Sequence, residues 1–155
     1  MTCPLAGYRI DENGARIVAG LVALGTIFGL IFATSAARWI FPILALDFAT
    51  RAFSRPRWSF LGRYAGWLLR SLKISPRPVD AGPKRFAARV GLVFALALTV
   101  LALLGLSSAV RIVGAVLLLC ALLESLAGFC VGCQLWSAWY AVQERLGRSE
   151  KTELP

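Results

Sequence analysis

The chain has 155 residues, of which 58% are hydrophobic and 16% charged, and its mean hydropathy is +0.70. This composition excludes an ordinary soluble domain of that length and is typical of an integral membrane protein. Histidine is absent, and 17 Lys and Arg oppose 8 Asp and Glu, so cysteine is the residue type best suited to redox or metal chemistry.

The predicted elements begin with a polar arm, residues 1–14, whose Asp11 and Glu12 suit the positive start of a helix. The first sixteen residues contain no apolar signal sequence, so we expect the first apolar run to be retained as a span. The second run is short and includes Asp47 and Arg51, whose i, i+4 spacing lets them pair as a structural clamp or within a functional site. The four predicted spans lie at about residues 15–37, 39–53, 86–106 and 109–130.

Between the second and third spans, residues 58–73 repeat apolar side chains at helical spacing, with Arg63 and Arg70 on the opposite face. This pattern indicates an amphipathic helix in the membrane interface. A polar tail, residues 141–155, completes a single membrane domain over residues 1–155. We therefore predict an all-α integral membrane bundle of four transmembrane helices with one interfacial amphipathic helix on the cytoplasmic side.

Positive charge is concentrated in one loop, because ten of the 17 Lys and Arg fall between Arg51 and Arg89, against one acid, Asp80. In a membrane protein such a loop marks the cytoplasmic side. We expect it to contact anionic lipid headgroups and not nucleic acid. Four spans then put both termini in the cytoplasm, and we predict a multi-pass protein of the cell (inner) membrane.

The last apolar run continues from Val110 to Tyr140, which is roughly 46 Å if helical throughout, against about 30 Å of hydrocarbon. The helix must therefore tilt, break or emerge from the membrane. Gly128 and Gly132 are the candidate break points.

Two cysteines near the end of this run, Cys130 and Cys133, have the spacing that lets thiols form a small disulfide ring or share a metal ion. In an unbroken helix both would lie at the negative end, which disfavours a thiolate, whereas a break near Gly132 would lower the pKa of Cys133. Cys3 is a third thiol on the same predicted side. We interpret Cys120 as a packing residue.

Glu124 is a carboxylate near membrane depth, where ionisable groups are costly and usually have a partner. One interpretation pairs it with Arg89 or with the Asp47 and Arg51 cluster. The other makes it a proton relay to the thiols.

Several short stretches together resemble one family of small bacterial membrane proteins. They are Cys3-Pro4, Asp11-Glu12-Asn13 with Ala15-Arg16, Asp47-Phe48 with Arg51, Gly82 to Ala87, and the closing Cys130-x-x-Cys133. The resemblance is to the domain of unknown function 4395 family and runs over nearly the whole chain. That family has no established activity, but the tendency of its relatives to accompany thioredoxin-like and rhodanese-type sulfurtransferase proteins implies thiol or sulfur chemistry. The positions that match its pattern are Cys3, Arg16, Asp47, Arg51, Lys84, Arg85, Cys130 and Cys133.

We therefore hypothesise a membrane-embedded thiol module, which would act as a thiol-disulfide oxidoreductase without needing a cofactor. Cys130 and Cys133 would cycle between dithiol and disulfide, or carry sulfane sulfur, in exchange with a soluble thioredoxin-like or sulfurtransferase partner. Cys3 would be the resolving or docking thiol. The supporting residues that would tune proton and thiolate equilibria are Glu124, Asp47, Arg51, Arg16, Lys84 and Arg85.

Two other classes of function stay open. A zinc or similar soft ion held by Cys3, Cys130 and Cys133 would need a fourth ligand, such as a carboxylate of the N-terminal arm or water. In the scaffold alternative, the chain is a non-catalytic accessory or scaffold subunit that packs against a larger membrane complex through Gly25, Gly29 and its lipid-facing aromatic side chains.

Overall fold

A computed structural model describes residues 9–32, 37–53 and 59–152. These ranges form six α-helices, one π-helical turn and two short strands. In chain order they are β1 Arg9–Asp11, α1 Glu12–Ile31, α2 Ala37–Phe53, α3 Phe60–Ser71, β2 Pro78–Asp80, α4 Ala81–Leu103, α5 Ser107–Leu122, the π-helical turn Leu123–Ala127 and α6 Val131–Thr152.

Three of these helices are long and apolar enough to cross a membrane: Glu12–Ile31, Ala81–Leu103 and Ser107–Ala127. The chain is therefore a multi-pass membrane protein, and the predicted first, third and fourth spans each correspond to one of these helices. The predicted second span is α2, whose 17 residues are fewer than the roughly 20 that usually cross the hydrocarbon.

The two strands hold the starts of α1 and α4 side by side. β1 and β2 pair antiparallel, with Ile10 opposite Val79. Asp11 caps α1 by accepting a hydrogen bond from the Asn13 N–H at 3.1 Å, as its sequence position predicted, and it accepts a second from the Arg77 N–H at 2.9 Å. One carboxylate thus both begins a helix and ties it to the segment that precedes α4.

The apolar core lies where α2 packs along α4 and where α1 packs against α2 and α5. Gly29 of α1 approaches α2 so closely that a Cβ atom there would lie 2.9 Å from the Phe41 ring, and one at Gly25 would lie 3.6 Å from Leu44. The helix that approaches these two glycines is therefore α2 of the same chain. Large side chains that fill the core are Val18, Val22, Phe41, Leu44, Phe48, Leu98 and Leu117.

The amphipathic helix predicted after the second span is present as α3. Its Ala65 and Leu69 are buried against the bundle, and Arg63 and Arg70 are exposed. Phe60, Tyr64 and Trp67 are exposed too, so the helix carries an outer aromatic face beside its basic one. Trp58, which the sequence placed on the apolar face, lies outside the described residues.

The long last apolar run breaks at Gly128, as one of the two candidate break points predicted. The helix widens into the π-helical turn and then stops at Gly128, whose φ of 66° is in the left-handed region that glycine tolerates best. A new helix, α6, starts at Val131 and continues to Thr152. The predicted polar tail is thus helical as far as Thr152.

Gly132, the other candidate, is not a break point and lies in the first turn of α6. A Cβ atom there would lie 2.7 Å from the Cα of Ala87 in α4. Only glycine allows this approach of two backbones, which holds the start of α6 against the first turns of α4. Phe86 and Trp136 extend the same contact, with ring centroids 5.3 Å apart.

Candidate functional site

The two paired cysteines occupy the first turn of α6. Cys130 immediately precedes the helix and its carbonyl accepts the Gln134 N–H at 3.2 Å, so Cys130 is the N-cap and Cys133 is the third helical residue. A polar side chain at an N-cap accepts a hydrogen bond from the N–H of this third residue. Cys130 occupies that position, and hydrogen bonding with the backbone and the thiol of Cys133 is among the influences on its pKa. Both cysteines are free thiols.

This arrangement gives the thiols of Cys130 and Cys133 different pKa values. The hydrogen bond from the Cys133 thiol lowers the pKa of Cys130 below the ordinary cysteine value, in spite of burial and the nearby Glu124 carboxylate, and the Lys84 ammonium helps to lower it. The same hydrogen bond, together with burial, raises the pKa of Cys133. The sequence predicted that a break would favour a thiolate at Cys133, but because α6 starts at Val131 the favoured position is Cys130.

The two thiols also face different surroundings. Cys130 is only 6% exposed and lines a cavity of about 470 Å³ among the helices. Cys133 is partly exposed and is not among the residues that line this cavity. The more acidic thiol therefore faces the interior of the bundle, and its partner lies closer to the surface.

An ion pair lies next to the thiols and joins α4 to the end of the last span. Lys84 Nζ is 2.6 Å from Glu124 Oε1, and the two side chains are 14% and 20% exposed. The predicted pairing of Glu124 with Arg89 is wrong, and its ion-pair partner is Lys84, although the Glu124 carboxylate also acts on the charge of Arg51 in the predicted cluster. Arg89 instead lies over the Phe53 ring, with 5.9 Å between the guanidinium carbon and the ring centroid.

Asp47 and Arg51 form the predicted i, i+4 ion pair, with Arg51 Nε 2.9 Å from Asp47 Oδ2. Asp47 is fully buried and accepts hydrogen bonds from the Ser59 hydroxyl at 2.7 Å and the Leu61 N–H at 3.2 Å. The pair therefore clamps the end of α2 to the start of α3, which supports the structural interpretation. Sequence reasoning missed Ser59. Its hydroxyl accepts a hydrogen bond from the Gly62 N–H at 2.9 Å and so caps the start of α3, and a serine three residues before that N–H is a recognisable capping pattern.

Arg16 and Arg85, the other two arginines at positions that match the family resemblance, bind backbone carbonyls at helix ends. Arg16 donates to the carbonyls of Ser125 at 3.1 Å and Leu126 at 2.7 Å, in the π-helical turn. Arg85 donates to the carbonyls of Ala52 and Phe53, both at 3.4 Å, at the end of α2. Neither arginine acts directly on the thiols, but Arg16 stabilises the break that lets α6 begin at Val131.

The third cysteine of the predicted site, Cys3, lies outside the described residues. Within the described ranges, no three Cys, Asp or Glu side chains are grouped as metal ligands. The alternative of a zinc site at Cys3, Cys130 and Cys133 therefore stays a prediction.

Comparison with known proteins identifies one family. A family model described as "Domain of unknown function (DUF4395)" matches residues 10–140. No curated protein and no solved structure matches the chain. The matched segment includes the thiol pair, both ion pairs and the two carbonyl-binding arginines.

The pKa order of the thiols is tested by changing Cys133 to Ala in a Cys120→Ser background. Loss of the thiol donor is expected to raise the pKa of Cys130. Its thiolate then forms only at a higher pH than in the protein that retains Cys133. Iodoacetamide alkylation of Cys130, followed by peptide mass spectrometry between about pH 5 and 10, measures the midpoint. Equal midpoints in the two proteins would contradict the hydrogen bond.

The ion pair beside the thiols is tested by the variant Lys84→Met. It leaves the Glu124 carboxylate without its partner in a poorly solvated position, so the free energy of unfolding is expected to fall by about 1–3 kcal/mol. The double variant Lys84→Met/Glu124→Leu removes both charges and is expected to recover most of that loss. Thermal unfolding in detergent measures the effect, and a double variant less stable than the single one would refute the argument.

Proposed function

The chain belongs to the DUF4395 family, whose description gives no activity, and we propose that it exchanges disulfides at the membrane surface through Cys130 and Cys133 with a soluble thioredoxin-like or sulfurtransferase partner. The observation that carries the proposal is the first turn of α6, which brings two free thiols together at the N-cap and at the third helical residue, where the interaction with Cys133 lowers the pKa of Cys130. A dithiol built into a helix start in this way forms a thiolate more readily than an isolated cysteine does.

The exchange step follows from the different positions of the two sulfurs. A thiolate of the reduced partner attacks the Cys133 sulfur of a Cys130–Cys133 disulfide, because Cys133 is the more exposed of the two. The S–S bond breaks and Cys130 leaves as a thiolate, stabilised by the Cys133 N–H and by the Lys84 ammonium. A leaving thiol of low pKa leaves faster.

A second thiolate of the partner then attacks the partner sulfur that is bonded to Cys133 in the mixed disulfide. This attack releases Cys133 as a thiolate. The partner has become a disulfide, and Cys130 and Cys133 now hold its two electrons as a dithiol. Every sulfur–sulfur bond broken is replaced by one formed, so this exchange requires no further reactant and runs in either direction.

We further propose that α2 crosses the membrane as a fourth span, which puts both termini on the cytoplasmic side of the cell (inner) membrane. At about 1.5 Å per residue its 17 residues extend roughly 26 Å, close to the hydrocarbon thickness. It packs along α4, and Arg85 near the start of α4 binds the carbonyls at its end. The concentration of Lys and Arg at this end of the bundle supports the cytoplasmic assignment.

In this arrangement α3 rests in the cytoplasmic headgroup layer. Its exposed Phe60, Tyr64 and Trp67 suit the boundary between acyl chains and water, and Arg63 and Arg70 suit anionic lipid headgroups. The thiol pair and the lipid-binding helix would then face the same compartment, in which the soluble partner is present.

The roles of the two thiols are tested by trapping a mixed disulfide with a thioredoxin that retains only its attacking cysteine, activated with thionitrobenzoate. Cys130→Ser, which leaves Cys133, is expected to form the adduct. Cys133→Ser is expected to do so more slowly, by a factor on the order of ten, because Cys130 is buried. Release of thionitrobenzoate measures the rate.

The control for this trapping is methyl methanethiosulfonate, a small reagent that is expected to modify either cysteine. Equal trapping of the thioredoxin at both positions would overturn the assigned roles. If neither variant traps it while the small reagent modifies both, disulfide exchange is not the function.

The topology is tested with variants in which Cys133 is the sole cysteine, made by changing Cys3, Cys120 and Cys130 to Ser. A membrane-impermeant maleimide is expected to label Cys133 in inverted membrane vesicles and not in intact cells. Restoring Cys3, which precedes α1, supplies a matched site that four spans place on the same side as Cys133 and three spans on the opposite side. Labelling of Cys3 and Cys133 from opposite sides would refute the four-span arrangement.

A further inference from the structure

The last helix, α6, exposes a stripe of large apolar side chains. Leu135, Trp139 and Val142 are 53%, 62% and 54% exposed. With 3.6 residues per turn, they fall within about 60° of one another around the helix axis. Within the described ranges α6 is not among the three helices that are apolar enough to cross a membrane, so the stripe is not the lipid-facing surface of a further span.

The side of α6 opposite this stripe is polar and carries the more exposed thiol. Cys133 lies about 120–180° around the axis from each residue of the stripe. Gln134 and Ser137, on the same side as Cys133, are exposed. α6 is therefore amphipathic, with its apolar stripe and Cys133 facing in opposite directions.

The stripe prolongs the side of α6 that packs against a membrane-spanning helix. Gly132, where a Cβ atom would lie 2.7 Å from the Cα of Ala87 in α4, is seven residues before Trp139 and on nearly the same side of α6. Trp136, between the two, contacts Phe86 of α4. Beyond this contact the same side of α6 is exposed within the part of the chain that the structure describes.

The start of α6 also lies at the depth where the hydrocarbon ends. α4 has 23 residues and extends roughly 34 Å, slightly more than the hydrocarbon thickness of about 30 Å. Ala87 is about 9 Å from the start of α4 and three residues after the basic Lys84. In a bilayer that α4 crosses, Gly132 is therefore close to the hydrocarbon boundary, and Trp139 is about 10 Å along α6 from it.

We propose that α6 rests on the bilayer, with Leu135, Trp139 and Val142 in contact with lipid at the boundary between acyl chains and headgroups. An amphipathic helix of this kind lies in the plane of the membrane and buries its apolar side about 5–10 Å deep, and tryptophan prefers this layer. The lipid-exposed surface of the spans continues to the start of α6, because Leu126, in the last turn of the preceding span, is 74% exposed. The occupant of the stripe is lipid and not the soluble exchange partner, since that partner must reach Cys133 on the opposite side.

This position of α6 has a consequence for the thiols, which rests on the proposed disulfide exchange. With the stripe in the membrane, Cys133 faces the aqueous side, where a soluble partner can reach it, and Cys130 stays buried in the bundle. The membrane surface then orients the thiol pair toward the partner.

The position of α6 is tested with nitroxide spin labels on the full chain in vesicles of phosphatidylcholine and phosphatidylglycerol. The background changes all four cysteines to Ser, which also caps helix starts and so retains α6. A label at Val142→Cys reports the stripe, and a label at Ser137→Cys, exposed on the opposite side, is the matched control. Oxygen is concentrated in the bilayer and nickel ethylenediaminediacetate in water. The ratio of relaxation by oxygen to relaxation by the nickel complex is therefore expected to be severalfold higher at position 142 than at position 137.

Three results would contradict this expectation. Equal relaxation by the nickel complex at both positions would overturn the inference, because α6 would then project into water. Spin–spin broadening at position 142 that disappears on dilution with unlabelled chain would overturn it in favour of a second copy. Loss of access to both reagents at position 142 only after thioredoxin is added would overturn it in favour of the soluble partner.

The contribution of the stripe is tested by adding Trp139→Glu to the chain labelled at position 142, with Ala141→Glu, which is exposed and outside the stripe, as a matched control. A carboxylate among acyl chains is costly, so the first change is expected to lift the helix and increase relaxation by the nickel complex severalfold. The control is expected to leave this relaxation unaltered. Unaltered relaxation with Trp139→Glu would overturn the assignment of Trp139.

The position of α6 and the exchange function fail separately in these experiments. Thioredoxin trapping at Cys133 with the label at position 142 in water would refute the position of α6 alone. A label at position 142 in lipid with no thioredoxin trapping would refute the exchange function and leave the lipid contact standing.

Discussion

The position of the thiols depends on how this chain ends a membrane-spanning helix without leaving carbonyl groups unpaired. Where the last span stops, the carbonyls of its final turn lose their helical N–H partners, and in a poorly hydrated setting each unpaired group costs several kcal/mol. Arg16 donates to two of them, at Ser125 and Leu126. The left-handed turn at Gly128 is then tolerated, and a new helix starts three residues later. An arginine of α1 thus determines the environment of cysteines more than 100 residues away.

The ion pairs Asp47–Arg51 and Lys84–Glu124 have different roles in the same bundle. The buried Asp47 joins α2 to α3 through Arg51, Ser59 and the backbone, so this pair determines where helices meet. Lys84 and Glu124 join α4 to the last span and bring one positive and one negative charge near Cys130. Their effects on the pKa of Cys130 oppose each other, and the interaction with the Cys133 thiol is the largest influence on that pKa.

Local features of this structure could be predicted from the sequence, and long-range partners could not. The Asp47–Arg51 pair, the Asp11 cap and the break at Gly128 each depend on residues within a few positions of one another. The partner of Glu124 depends on how two distant helices are rotated, so the sequence alone does not identify Lys84, 40 residues away, as that partner. The choice between the two thiols depends on the first residue of α6, and moving that start by a few positions reverses which sulfur is favoured. The number of spans likewise depends on α2, because its 17 residues are fewer than the roughly 20 that usually cross the hydrocarbon.

The close contact of Gly132 with Ala87 has a mechanical consequence. It fixes one end of α6, a rod of 22 residues and about 33 Å, at the turn that holds both thiols. Such a helix would act as a lever, because a rotation of only about 10° at the first turn displaces the far end by roughly 6 Å. Any rearrangement of the Cys130 and Cys133 sulfurs at that fulcrum would be amplified at the far end of the helix.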